Sequence, residues 1–168
     1  MVLSAAECLD LIKAPKIITS PTAQINLAGR SERLYLALTS DPDQTFFVDI
    51  TRSKKVRLKL SLHFQQVALN MPIVRLDFHS RHKNPSDIRP SLPFRFHPHA
   101  DRLFSEHDPH IHLPVDDYKP LVWALPADDE PIFSKLISSP EDLVDAVRSF
   151  LDYIKVETVV SAHLPLFL

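Results

Sequence analysis

Glycine and cysteine are nearly absent from this chain of 168 residues, which has one of each beside 15 prolines. Walker loops, GxGxxG fingerprints and G-x-S-x-G elbows each need at least two glycines, so Gly29 alone excludes them all. Nucleotide-dependent phosphoryl transfer and Rossmann redox chemistry are therefore excluded. Cys8 alone makes a disulfide within the chain impossible and disfavours a zinc site built on thiolates.

Long apolar runs and a signal-like start are also missing. The first residues, MVLSAAECLDLIK, lack the basic start and the apolar core that a signal peptide needs. No apolar run approaches the ~20 residues of a membrane helix. Together with the single cysteine, these observations predict a soluble protein of the cytoplasm that has no membrane partner.

Length and composition indicate one globular domain over residues 1–168. A chain of this length with 45% hydrophobic residues buries roughly two thirds of its unfolded surface. Its charge is uneven, because residues 1–100 hold 14 basic and 8 acidic residues whereas residues 101–168 hold 5 and 13. The two halves either neutralise each other on packing or offer a basic and an acidic face to partners.

Two segments carry the signals of a helix start. Ser4 and Glu7 form a capping box before a short apolar stripe, which predicts an N-terminal helix to about Lys13. Ser139 precedes Pro140 and two acidic residues, an arrangement that favours a helix start. Apolar residues at helical spacing follow, so a helix over 139–154 is predicted to cover a sheet.

Apolar periodicity predicts the strands and their pairing. We expect a hairpin over 22–39 with its turn at 28–31, and strands over 44–52, 54–64, 71–79, 110–115 and 121–125. The short connection between 54–64 and 71–79 predicts antiparallel pairing, and the apolar end of the chain is expected to add a strand or cover a sheet edge. The prediction is an α+β fold with an antiparallel sheet of about five to six strands. The C-terminal helix packs on one face, and the short N-terminal helix lies at an edge.

The strand predicted over 54–64 has a strongly basic face. Lys55, Arg57 and Lys59 alternate with apolar residues and therefore share one side of the strand. Such a face can follow a phosphate backbone. It is also typical of a solvated strand or of an edge kept soluble by lysine, which is the interpretation we favour. These three residues are the candidate nucleic-acid-binding residues.

Proline and histidine dominate residues 80–109, which contain five prolines. We expect a long loop or an inserted excursion here, with a brief strand over 94–97. Loops of this length in a compact domain are functional or disordered. Seven of the nine histidines fall between His79 and His112. Because histidine titrates near neutral pH and is the commonest metal ligand, this density predicts proton transfer, metal binding or a set of packed imidazoles without chemistry.

Five short motifs occur in one order along the chain. They are Arg75-Leu76-Asp77, His82-Lys83-Asn84-Pro85, Pro109-His110-Ile111-His112, Trp123-Ala124 and Phe150-Leu151-Asp152-Tyr153. This order resembles a small family of uncharacterised prokaryotic and phage proteins with the motifs RLD, HxNP, PHxH, WA and FLxY. The family resembles, more loosely, the short histidine-rich toxins of bacterial toxin–antitoxin pairs, which implies an intracellular protein of the mobile-element type.

The chain departs from that pattern at two motifs. Ser86 and Asp87 follow the HxNP motif where the family has Asp-Gly, and Pro114 stands where it has tyrosine. Residues 86–108 resemble an insertion, so a second histidine pair, His97 and His99, falls outside the family pattern.

A metal site is one chemistry that the motif residues predict. His110 and His112 are two apart on a predicted strand, so both rings leave the same face. They can hold one divalent, zinc-like ion, with Asp77 or His82 as the third ligand. An open position would then carry a water whose pKa falls toward 7 on zinc.

A metal-free reaction is the other chemistry, and it needs no cofactor. RNA cleavage requires a base for the 2′-hydroxyl, an acid for the leaving oxygen and a cation for the phosphorane. His82 with His110 or His112 supplies the acid and base, and Arg75 or Arg57 supplies the cation. Asp77 then orients an imidazole. Asn84 either bonds substrate or shapes the turn before Pro85.

Two classes of function follow. The first is a small protein that acts on nucleic acid, a toxin-like ribonuclease whose catalytic residues are Arg75, Asp77, His82, His110 and His112. The second is a non-catalytic binding protein, such as an inhibitor, an antitoxin-like protein or an assembly subunit. It would use the basic strand face or the acidic C-terminal half. The corresponding partners are RNA or another protein. An all-structural role, in which Arg75 and Asp77 form a plain ion pair and the histidines cap carbonyls, is the third possibility.

Overall fold

A computed structural model describes residues 2–53, 55–56 and 58–164. Within these ranges lie the helices α1 (Ala5–Lys13) and α2 (Pro140–Tyr153), and 3-10 helices at Phe94–His99 and Ala127–Asp129. The strands are β1 (Lys16–Ile18), β2 (Gln24–Asn26), β3 (Ser31–Leu38), β4 (Thr45–Arg52), β5 (Leu60–Gln66), β6 (Met71–Phe78), β7 (His82–Lys83), β8 (Leu103–Phe104), β9 (His110–Leu113), β10 (Trp123–Pro126) and β11 (Ser161–His163). None of the described helices is long and apolar enough to cross a bilayer.

Seven strands form the main sheet in the order β1-β3-β4-β5-β6-β9-β10, and each neighbouring pair is antiparallel. Two small sheets join β2 to β11 and β7 to β8. The α+β class and the antiparallel sheet are therefore confirmed, with more strands than the five to six expected. The short edge strand β1 has only three residues, too few to show the alternation that marks a strand in a sequence.

Alternation along the strands divides the main sheet into an apolar face and a polar face. The apolar face holds Leu34, Leu36, Phe46, Val48, Ile50, Leu60, Leu62, Phe64, Val74, Leu76, Phe78, Ile111 and Leu125, all buried. Helix α1 packs on β6 and α2 packs on β5. Both helices lie on this face, because Lys16 bonds to the last turns of both and its Nζ lies 5.1 Å from the centre of the Phe64 ring. The N-terminal helix is thus on an interior strand and not at an edge.

The polar face lies on the opposite side of the sheet from both helices. Successive residues of a strand point to opposite sides, so the residues between the apolar positions collect there. These include Arg33, Asp49, Ser61, His63, Arg75, Asp77, His110 and His112. The predicted antiparallel pairing of β5 with β6 is confirmed, and it places Ser61 opposite Asp77 and His63 opposite Arg75.

Both helix starts form as expected. The Ser4 hydroxyl accepts a hydrogen bond from the backbone N–H of Glu7, and the Glu7 carboxylate accepts one from the backbone N–H of Ser4. Ser139 and Asp142 make the same reciprocal pair, and Pro140 occupies the first turn of α2. Both helix starts were predictable because their signals lie within one helical turn of the chain, and the capping box of α2 is an addition that the structure supplies.

The hairpin predicted over 22–39 is wrong. Strand β2 does not pair with β3 but runs parallel to β11. One edge of β3 pairs with β4, and β1 takes the other edge, with Lys16 opposite Leu38. The chain after β1 continues along that edge, where the Ser20 hydroxyl accepts from the backbone N–H of Tyr35, so no edge is left for β2.

The strand predicted from residue 54 begins only at Leu60. The Ser53 hydroxyl accepts from the backbone N–H groups of Lys55 and Val56, and this local bonding turns the chain away from an extended course. Lys55 is exposed in the resulting bend, and Lys59 comes just before the strand. The two lysines therefore do not share a strand face, and Arg57 lies outside the described residues.

The proline-rich segment 80–109 is packed rather than open. Strands β7 and β8 pair within it. The stretch predicted as a brief strand over 94–97 is the start of a 3-10 helix, since Pro93 and Pro98 flank and interrupt it. Phe96 is 1% exposed and packs edge-on against Trp123, which anchors the segment on the core.

Candidate active site

The candidate site is built where β9 pairs with β6 on the polar face. In this register His110 lies opposite Asp77, and His112 lies opposite Arg75. Because residues two apart on a strand share a face, these four side chains converge. Two motifs that are more than 30 residues apart in the chain thus meet through one antiparallel pairing.

The HxNP motif brings His82 to the same place. The His82 ring centroid lies 4.4 Å from that of His112 and 5.8 Å from that of His110. Its Nε2 is 3.0 Å from the Val122 carbonyl oxygen, which must accept, so Nε2 carries a proton in this arrangement. All five predicted catalytic residues therefore lie in one group, which we call the histidine–carboxylate cluster: Arg75, Asp77, His82, His110 and His112.

Hydrogen bonds hold the carboxylate of Asp77 in place. Arg75 Nε donates to Asp77 Oδ2 over 2.8 Å, and the Ser61 hydroxyl donates to Oδ1 over 2.6 Å. A second guanidinium nitrogen, Arg75 Nη2, lies 2.9 Å from His112 Nε2. Asp77 Oδ2 is itself 3.1 Å from His112 Nε2 and 3.8 Å from His110 Nε2.

Backbone carbonyls set the tautomers of both strand histidines. His110 Nδ1 is 2.8 Å from the Asp108 oxygen, and His112 Nδ1 is 2.8 Å from the Leu121 oxygen. A carbonyl oxygen only accepts, so each Nδ1 carries the proton and each neutral ring leaves Nε2 bare. Both bare nitrogens face the carboxylate of Asp77.

Burial keeps the imidazoles neutral. It lowers the pKa of His112 to about 4 and lowers the pKa of His82 and of His110 below the ordinary histidine value. Burial by itself would raise the pKa of Asp77, but the guanidinium of Arg75 and the hydroxyl of Ser61 outweigh that effect and hold it below its usual range. At neutral pH the cluster holds neutral imidazoles beside one carboxylate and one guanidinium.

Solvent reaches the cluster from one side. His110 and His112 are fully buried, and Asp77 is 5% exposed. The side chain of Arg75 is 34% exposed, and His82 is partly exposed. The Phe104 ring lies 4.9 Å from the ring of His110 and closes another side. Arg75 and His82 are therefore the members of the cluster that solvent reaches.

Asp77, His110 and His112 also have the geometry of a metal site. One oxygen or nitrogen of each lies within 4.8 Å of those of the other two. His82 does not belong to this triplet, although the sequence made it an alternative third ligand. The predicted ligand set of two histidines and one aspartate is thus the set that the structure brings together.

The other histidines of the dense region lie elsewhere. His97 Nε2 bonds to the Leu92 oxygen, His79 Nε2 bonds to the Ile137 oxygen, and His99 Nε2 is 3.6 Å from a carboxylate oxygen of Asp129. These imidazoles contact their own surroundings and not the cluster. His97 and His99 thus lie apart from His82, His110 and His112.

Two contributors to the site were missed by sequence reasoning. Ser61 follows from the β5–β6 register, because it stands opposite Asp77, but a bulge between Phe64 and Gln65 shifts that register and hid the match. Phe104 comes from β8, which has two residues and leaves no periodic signal. Of the candidate nucleic-acid-binding residues, Lys59 lies two residues before Ser61, and Lys55 lies in the exposed bend.

The fold and site define an α+β protein with a seven-stranded antiparallel sheet, helices on its apolar face and a buried histidine–carboxylate cluster on its polar face. The chain belongs to a family of unknown function (DUF6978), whose sequence model matches residues 3–156. This range includes every residue of the cluster. No curated protein and no solved structure matches the chain.

Proposed function

We propose that this protein cleaves RNA at the histidine–carboxylate cluster. The observation that carries the proposal is the convergence of Arg75, Asp77, His82, His110 and His112 from three separate motifs. Buried titratable groups whose pKa values are displaced collect at reaction centres more often than elsewhere. The looser likeness to histidine-rich toxins favours the same class of activity.

Each side chain has a role that its exposure suits. Arg75 is one-third exposed, and its guanidinium matches the geometry of a phosphate, so it would bind the scissile phosphate. His82 is the accessible imidazole; it would take the proton of the attacking 2′-hydroxyl as a base and then give it to the leaving 5′-oxygen as an acid. Asp77, His110 and His112 are buried beneath these two residues. They would hold the Arg75 guanidinium and the His82 ring in position.

Purified protein incubated with RNA and with DNA of the same sequence tests the proposal. His82→Gln keeps a side-chain donor near the Val122 carbonyl, and Arg75→Gln removes the cation. Each is expected to lower the rate of RNA cleavage at least about 100-fold, the range for losing a proton-transfer or charge-stabilising group. Lys83→Gln is the matched control, because Lys83 is next to His82, is exposed and forms an ion pair with the exposed Asp101.

The non-catalytic alternative predicts the opposite pattern. In one outcome, Arg75→Gln, His82→Gln and the double variant His110→Ala/His112→Ala leave the activity of the protein in cells unchanged. If the double variant Lys55→Gln/Lys59→Gln abolishes that activity at the same time, the enzyme proposal fails. RNA binding measured on the same proteins separates loss of binding from loss of cleavage. Circular dichroism of each variant shows whether the fold is intact.

A further inference from the structure

One buried nitrogen of the cluster lacks a partner. His110 Nε2 is shielded from solvent and has no hydrogen-bond partner among the described residues. Its lone pair is free because Nδ1 holds the proton. Leaving a buried polar atom unpaired destabilises the folded protein by about 1–3 kcal/mol. A ligand bound to this nitrogen would remove that penalty.

The neighbours of that nitrogen are acceptors as well. His112 Nε2 and Asp77 Oδ2 are 3.1 Å apart, and His110 Nε2 is 3.8 Å from the same oxygen. Two neutral imidazole nitrogens and a carboxylate thus face one another, and Arg75 donates to two of these acceptors but not to His110 Nε2. Ligand atoms about 2.0–2.1 Å from a tetrahedral zinc ion are roughly 3.3 Å apart, which lies between the two observed distances.

The hydrogen bonds that the three candidate ligands make with other groups are those expected of metal ligands. Metal-ligating histidines usually donate their other ring N–H to a carbonyl or carboxylate, which fixes the tautomer. His110 and His112 both do so, to the Asp108 and Leu121 carbonyls. The Ser61 hydroxyl orients the other oxygen of Asp77, as the second contact of a ligating carboxylate commonly does.

Arg75 is the competitor for this position. Its guanidinium contacts both Asp77 Oδ2 and His112 Nε2, the atoms that an ion would take. The side chain is one-third exposed, so it can leave toward solvent when an ion enters. Arg75 does not bond to His110 Nε2 in the structure. It therefore does not supply the hydrogen-bond partner that this nitrogen lacks.

We propose that Asp77, His110 and His112 bind one divalent transition-metal ion of the zinc class, with Arg75 displaced toward solvent. Two nitrogens and one oxygen suit zinc, and three protein ligands leave a position open for water. The proposal deepens the proposed function and rests on it only for the reaction that the ion would serve. Binding itself is measurable without RNA.

Isothermal titration of chelator-treated full-length protein with zinc chloride tests the site. We expect one ion per chain, and at least 100-fold weaker binding for His110→Gln and for Asp77→Asn, which preserves the shape of the side chain. His63→Gln is the matched control, because His63 is a partly buried histidine on the same sheet face outside the ligand set. Arg75→Gln is expected to bind zinc about 10-fold more tightly, because a competing cation is gone.

Two results would overturn the metal proposal. One is the absence of saturable zinc binding by the wild-type chain, and the other is binding that His110→Gln and Asp77→Asn both leave unchanged while they remain folded. The outcome for the proposed function is separate. Zinc binding without RNA cleavage would contradict the proposed nuclease activity and not the metal site. RNA cleavage by protein that binds no zinc would contradict the metal site and not the nuclease activity.

Discussion

Asn84 shows how a single residue positions the site without entering it. Its side chain is 2% exposed and bonds to both the N–H and the carbonyl of Ala124, and to the His99 oxygen. The sequence left open whether Asn84 bonds substrate or shapes the turn at Pro85. These buried bonds show it holding the His82 segment against β10, and the partner lies 40 residues away in the chain, beyond any local signal.

Asn84→Ala is expected to destabilise the protein by about 2 kcal/mol, because it leaves the polar groups of Ala124 buried and unpaired. Urea unfolding followed by circular dichroism measures the change. Lys83→Ala is the control at the neighbouring position, and its exposed ion pair is expected to contribute less than about 1 kcal/mol. An Asn84→Ala protein as stable as the control would show that the loop is held by other contacts.

At the scale of elements, Lys16 joins the ends of both helices. It is fully buried, and its Nζ donates to the Ile12 and Ala14 carbonyls at the end of α1 and to the Ile154 carbonyl at the end of α2. The last carbonyls of a helix lack partners within it. The first residue of β1 therefore closes two helix ends with one side chain.

Burial lowers the pKa of Lys16 to about 7, whereas an unfolded lysine titrates at about 10.4. Between these values the unfolded chain binds a proton that the folded chain lacks, so the free energy of unfolding rises with pH. The stability advantage of wild type over Lys16→Met is expected to grow by on the order of 1 kcal/mol per pH unit in this window. Urea unfolding of both proteins across a pH series measures it.

Comparison with Lys16→Met cancels the groups that titrate in both proteins. An advantage that stays constant from neutral to alkaline pH would contradict the prediction. It would mean that the three carbonyls hold Lys16 as an ammonium ion in the folded state.

Across the whole molecule, ion pairs connect the basic first part of the chain to the acidic remainder. Arg81 pairs with Glu106, Lys83 with Asp101 and Arg95 with Glu130. Of the two readings of the charge asymmetry, packing of the halves against each other accounts for these residues. The pairs differ in burial, since Glu130 is 12% exposed whereas Glu106 is 39% exposed.

That difference predicts unequal energies for two pairs of the same length. Both Arg81–Glu106 and Arg95–Glu130 have contacts of 2.6 Å. Arg95→Met is expected to destabilise the protein by about 2 kcal/mol, because it leaves Glu130 nearly buried beside the Tyr153 hydroxyl without its cation. Arg81→Met is expected to cost less than about 0.5 kcal/mol, because solvent screens that pair. Equal losses in urea unfolding would contradict this account.

The sequence by itself determined the features that depend on residues a few positions apart. Both helix starts and the strands β4, β6, β9 and β10 were predicted at nearly their observed positions, because capping and alternation are local. The five cluster residues were also predicted, since the motifs name them and strand parity puts His110 beside His112 and Arg75 beside Asp77.

Only the tertiary structure decided which strands meet. Strand β2 pairs with β11 because β1 already occupies the open edge of β3, and no local pattern encodes that competition. The β6–β9 register placed Asp77 opposite His110, and packing against Leu121 and Asp108 then set the imidazole tautomers. Burial is a property of the whole fold, so the neutral rings and the unpaired nitrogen of His110 could be found only there.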